Sequence, residues 1–187
     1  MTHRLSFRNH FLIAMPTLKD PNFSQSVALI CEHNEDGAMG IVVNRPLEVT
    51  MSEILSQMDI TCPDARVGEL PVHLGGPVQC GRGFVIHAPP GDWDATLRAS
   101  DEIGVASSRD ILEGIAEGRG PERIFIALGY AGWGAGQLEQ EIMDNSWLSG
   151  PVDPSILFDL PYEDRWHAAA AFAGVDLNLI AGEAGHA

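Results

Sequence analysis

The chain has 187 residues, 45% of them hydrophobic and 20% charged, enough for a real core and too apolar for a disordered chain. Its formal charge of −15 and pI near 4.6 disfavour direct nucleic-acid binding, which draws on lysines and arginines neutralising phosphates. Lys19 is the only lysine and the arginines are scattered, so no basic stripe exists in the sequence.

No apolar run approaches the roughly 20 residues that span a bilayer. Arg4 and Arg8 precede residues 11–15 (FLIAM), but that run is shorter than the roughly 7–15 residues of a signal-peptide core. It is expected to be a first strand. Residues 26–33 (SVALICEH) and 40–44 (GIVVN) are further β-prone runs, and the Asn34-Glu35-Asp36-Gly37 turn between them predicts a hairpin. Thr50 and Glu53 have capping-box spacing, which predicts a helix over 51–58. Residues 71–76 and 83–88 read as strands around a glycine-rich bend, followed by short strands near 96–99 and 103–106. Ser107 with Asp110 predicts the cap of a helix reaching about Glu117.

Residues 123–130 (RIFIALGY) are nearly all apolar, as for a strand buried on both faces. A glycine-rich turn and an acidic helix from Gln137 to Asp144 follow. Then come a brief strand over 156–158 and a last helix, with Pro161 in its first turn, stopping near Gly174. Hairpins early and mixed strands and helices late place the chain in the α+β class, as one domain over 1–187 with a mixed sheet.

The segments FLIAMPTLKDPNFSQSV, CEHNEDGAMGIVVNRP, LGGPVQCGRGFVIH, LGYAGWGAGQLEQEI, NSWL and the closing GHA follow one another from Phe11 to Ala187. In this the chain resembles the AlgH/YqgE family of bacterial proteins. The resemblance implies a bifurcated sheet that includes a small barrel, surrounded by helices. The family's label, a transcriptional regulator, comes from a proposed role in alginate production. The resemblance implies no catalytic residues and no cofactor.

Read by its residues alone, the chain has little that points to catalysis. The Gly132-Trp133-Gly134-Ala135-Gly136 loop has Gln137 where a dinucleotide fingerprint needs its third glycine, and it lacks the lysine of a P-loop. It reads as a tight strand-to-helix turn, or as a grip on a small neutral or cationic ligand by Trp133 and Glu139. Arg45, after Asn44 and before Pro46, reads as an anion grip or as a loop-fixing ion pair; Arg82 poses the same choice. Cys31 and His33 are two apart on a strand and so share a face, where His73 or His87 would complete a zinc-like set. Paired metal-ligand spacing is missing, so no metal is expected. No G-x-S-x-G elbow occurs.

Two readings follow. The first is a cytoplasmic, non-enzymatic protein that regulates by contact with a protein partner, through tryptophans such as Trp133, Trp147 or Trp166. The second is a small-molecule-binding protein or enzyme using Asn44, Arg45, Arg82, Trp133, Gln137 and Glu139, provided these meet in one pocket. Neither calls for a cofactor, a membrane or nucleic acid.

Overall fold

The computed structural model describes residues 6–184; Arg4 and the closing family segment at 185–187 lie outside them. The chain runs β1 (His10–Ala14), β2 (Val27–Asn34), β3 (Gly37–Val42), β4 (Pro46–Thr50), α1 (Met51–Gln57), α2 (Ala65–Gly68), β5 (Pro71–Leu74) and β6 (Val78–Ala88). It continues with β7 (Thr96–Arg98), β8 (Gly104–Ala106), α3 (Arg109–Ala116), β9 (Arg123–Gly134), α4 (Gln137–Met143), β10 (Trp147–Pro151), α5 (Pro154–Phe158), α6 (Tyr162–Phe172) and α7 (Leu177–Ala184). Helices and strands mix in an α+β fold whose antiparallel strands curl into a half-barrel.

The sheet is built around β9. Its order is β10-β1-β2-β3-β9-β6-β8-β7, with β5 parallel to β9 and β4 antiparallel to β5. Positions 123–130 of β9 pair with β6 along one edge. The other edge divides: 126–128 pair with β5 and 131–134 with β3. This fork is the bifurcation the family resemblance implies.

Glycine makes the fork possible. The Gly75 N–H donates to the Leu128 carbonyl at 2.7 Å, and the Gly75 carbonyl accepts from the Val42 N–H at 2.8 Å. A β-carbon on Gly75 would stand 2.3 Å from the Gly129 oxygen, and one on Gly76 2.1 Å from the Tyr130 carbonyl carbon. Gly129 has φ of +77°, a left-handed conformation that side chains resist. The glycine-rich segments LGG and LGYAG thus let two backbones touch.

β9 also belongs to all three apolar clusters. Phe125 and Ala127 join the core under α5 and α6, which includes Phe11, Ile13, Leu29 and Ile86. Ile126 joins the core beneath α1 and α3, with Met51, Leu55, Ile111 and Ile115. Ala131 and Trp133 join a third with Leu12, Ile30, Leu138 and Trp147. Burial on both faces, expected for 123–130, is met at Phe125, Ile126 and Ala127, each at most 4% exposed.

Several local expectations hold and others shift. The hairpin turn is Glu35-Asp36, with Asn34 paired to Gly37. Glu53 reaches back to the Thr50 N–H at 2.9 Å, closing the capping box of α1. The cap of α3 is Ser108 rather than Ser107. Ser108 and Asp110 also receive the backbone N–H groups of Ala95 and Asp94, at 3.1 and 2.8 Å, and so anchor the preceding loop.

The glycine-rich turn is shorter than expected, because β9 continues as strand to Gly134 and only Ala135 and Gly136 turn. Residues 156–158 are not a strand but lie in α5. Asp153 caps that helix by accepting from the Ser155 N–H at 3.0 Å, and Pro154 opens it. The Asp-Pro start signal outweighs the β-branched Ile156. Pro161 is the N-cap of α6, one place before its first turn. No helix among the described residues is long and apolar enough to cross a membrane.

Candidate functional site

Asn44 and Arg45 lie together where β3 ends, and both fasten the turn that precedes β2. Asn44 accepts from the Val27 N–H and donates to the Gln25 carbonyl, each at 2.9 Å. Arg45 donates from Nη1 to the Pro21 carbonyl at 2.7 Å and from Nη2 to that of Ser24 at 2.8 Å. Burial lowers the pKa of Arg45 and nearby Asp20 partly offsets this. The loop is thus fixed through carbonyls, where the sequence suggested a carboxylate. Beside it Tyr162, Glu163 and His167 complete a cleft of about 620 Å³.

Arg82 is elsewhere. Its Nη2 donates to Ser107 Oγ at 3.1 Å and its guanidinium lies 5.1 Å from the Phe84 ring centre, in a cleft shared with Glu32, Asp94 and Tyr130. Trp133 is 6% exposed and packs against Phe23 and Trp147 at centroid distances of 6.2 and 6.1 Å. Gln137 closes the turn into α4 by accepting from the Gly134 N–H at 2.9 Å. Asn44 and Arg45 therefore share a cleft, while Arg82, Trp133, Gln137 and Glu139 do not join them.

Glu139 lines a wide cleft of about 890 Å³ between the β2–β3 hairpin and α4. Its Oε1 meets His33 Nε2, while His33 Nδ1 accepts from the Phe7 N–H at 2.9 Å. That second bond fixes the tautomer: His33 is a donor at Nε2, aimed at the carboxylate. Phe7, Ala135, Ile142 and Met143 supply apolar walls. Glu141, on another face of α4, has its pKa raised by burial, against which the indoles of Trp133 and Trp147 pull it down.

The expectation that Cys31 and His33 share a face fails because of a β-bulge. The pairing slips between Ile30 and Glu32, so the extra residue reverses the alternation beyond it. Cys31 joins the core under α6, whereas His33 faces the cleft beside α4. Burial, helped by Glu32, pushes the Cys31 thiol up to about 12. Cys31 is therefore expected to resist iodoacetamide in the folded protein while exposed Cys80 is alkylated, as mass spectrometry of the intact chain can check. His87 is buried, its ring nitrogens 3.0 and 2.6 Å from the Val85 and Pro90 carbonyls. Among the described residues no three His, Cys, Asp or Glu side chains gather as a metal site.

One polar cluster was not foreseen in the sequence. His73 and Arg165, 4% and 6% exposed, both contact Phe125: the imidazole stacks on it at 4.4 Å and the guanidinium lies 5.4 Å from its centre. Burial and, secondarily, the Arg165 charge lower the His73 pKa to about 4, which an interaction with the Ile126 backbone partly opposes. The available signal was an arginine one helical turn before Ala169, on the buried stripe of α6.

The forked half-barrel defines the class of protein. Its shape is similar to the solution structure of the AlgH protein from Pseudomonas aeruginosa, with a TM-score of 0.81 and 49% identity over 100% of this chain and 99% of that one. The AlgH-like family model matches residues 11–178, and the chain belongs to that family. A UPF0301 protein of Nitrosococcus oceani is 58% identical over 182 residues, covering 97% of each chain. One from Thioalkalivibrio sulfidiphilus is 58% identical over 187 residues, covering 100% of each. A Corynebacterium diphtheriae protein, 22% identical with a TM-score of 0.74, shares the fold over 96% of this chain and 93% of its own.

Proposed function

We propose that the protein is a cytoplasmic, non-enzymatic regulator that acts by binding another protein, with its docking face at the cleft between the β2–β3 hairpin and α4. The observation that carries this reading is the character of that cleft. It is wide, walled by Phe7, Ala135 and Ile142, holds the His33–Glu139 pair with Ser6, Asn34 and Glu35 also lining it, and is bordered by Met143, 75% exposed. Methionine adapts its shape to an apolar partner surface, and the donor–carboxylate pair sets orientation. Any effect on transcription would be indirect, since a chain of formal charge −15 repels DNA.

The test compares wild type with Met143→Glu, a surface change expected to alter stability by no more than about 0.5 kcal/mol. Both are immobilised and exposed to a native extract of cells that express the protein. A defined partner held by wild type and lost by the variant is the expected result. Equal retention by both, or no retained protein at all, would remove the reading.

A further inference from the structure

Arg165 occupies a place that helix packing normally gives to an apolar side chain, and its charge is not balanced by an acid. Its Nε donates to the Leu160 carbonyl at 3.1 Å and its Nη1 to the Val43 carbonyl. Among the described residues no carboxylate lies within ion-pair distance of it. Two carbonyls and an aromatic face stabilise a guanidinium only in part, and a buried cation without an anion is costly. Beside it, His73 Nδ1 is buried and has no hydrogen-bond partner. Both side chains line a cavity of about 170 Å³ between β5, β9 and the α5–α6 pair. Its other walls include Leu70, Ile124, Leu157 and Phe158.

We infer that this cavity binds a small organic monocarboxylate, with the carboxylate on Arg165 and His73 and a short apolar chain against Ile124, Leu157 and Phe158. The charge count favours one carboxylate. Arg165 is the only full charge among the lining residues, and Arg123, stacked on Phe158 at 5.9 Å, is already answered by Asp159 at 3.6 Å. A phosphate, with up to two charges and several acceptors, would leave oxygens facing hydrocarbon. Size narrows the choice further. At roughly 30 Å³ per water-sized group the cavity holds about six such groups, which suits an acid of three to five carbons. The planar guanidinium fork matches a carboxylate, and a neutral His73 donates to the same group when its single ring proton shifts from the Ile126 backbone interaction to Nδ1. This site is separate from the cleft at α4 and does not depend on it.

Isobutyrate is the probe, titrated into the full chain while NMR follows the His73 imidazole and the Ile124 and Leu157 methyls. Isobutyramide, of the same shape without charge, and inorganic phosphate are the comparisons. Saturable shifts confined to the cavity are expected, with a dissociation constant on the order of 1 mM, and weaker binding of the amide by tenfold or more. Because Arg165 also fastens α6, the deciding variant is His73→Leu, which should weaken isobutyrate about tenfold by loss of one charge-assisted hydrogen bond. No saturable shift, equal binding of the amide, phosphate binding as tightly as isobutyrate, or unchanged affinity in folded His73→Leu would each overturn the inference.

Discussion

Gly76→Ala is expected to be among the most destabilising single substitutions in this chain, with a loss of more than about 4 kcal/mol. The added methyl would lie 2.1 Å from the Tyr130 carbonyl carbon, 2.2 Å from its oxygen and 2.4 Å from the Ala131 nitrogen. All three are backbone atoms, so no side chain can turn aside. Nor can the strands part cheaply. The neighbouring Gly75 is hydrogen-bonded on one side to Leu128 and on the other to Val42, and β9 is held along its far edge by β6. With total stabilities of about 5–15 kcal/mol for domains of this kind, the variant should be largely unfolded or melt far earlier. Urea titration followed by circular dichroism measures the loss. Gly81→Ala is the matched control, since its β-carbon meets nothing within 4 Å; it should stay within about 0.5 kcal/mol of wild type. Equal midpoints for Gly76→Ala and wild type would show that the close approach at the fork is not what requires glycine.

The second large effect is on acid stability. His73 titrates at about 4 in the folded protein against an ordinary 6.5, first because burial disfavours the imidazolium and second because Arg165 repels it. Below the ordinary value the unfolded chain takes up a proton that the folded chain refuses. Stability from this group is therefore full above pH 6.5 and falls as the pH drops towards 4. At about 1.4 kcal/mol per pH unit, the loss across that window is about 3 kcal/mol. The measurement is the difference in unfolding free energy between wild type and His73→Phe at each pH, which cancels the carboxylates common to both. The difference curve should slope between pH 6.5 and 4 and flatten above it; a flat curve throughout would mean that His73 accepts its proton in the folded state.

What the sequence revealed, and what it hid, depended on range. Residues 123–130 announced themselves because a strand covered on both faces needs hydrocarbon at successive positions, whatever its partners. The capping box of α1 was legible because Thr50 and Glu53 act within one turn. By contrast β10 was missed. It is a short edge strand, paired only with β1, and its Gly150 and Pro151 look like a loop until the partner strand is in place. The bulge at Cys31 was hidden for the same reason, since a slip in register exists only between two strands.

The candidate sites follow this rule. Arg45 stood out in the sequence as an anion grip or a loop-fixing ion pair, yet carbonyls of residues 21 and 24 engage it, and backbone groups carry no sequence signature. Arg82, on β6, and Glu139, on α4, stood out by composition but line different clefts, a separation that only the assembled fold sets. His73 and Arg165 meet only once β5, β9 and the α5–α6 pair enclose one cavity. Nothing local marks that meeting except the cost of a charge on a buried helical stripe.

The bulge in β2 gives one strand two jobs. Up to Cys31 its alternate residues feed the two cores on either side; beyond the slip, Glu32 and His33 face open clefts instead. A single extra residue thus separates the part of the strand that packs in the cores from the part that lines clefts. Beyond the slip two neighbouring positions stand under different constraints: Glu32 is exposed and open to substitution, whereas His33, bonded to the Phe7 N–H and to Glu139, ties the hairpin to Phe7 and α4, so one bulge sets a tolerant position beside a demanding one.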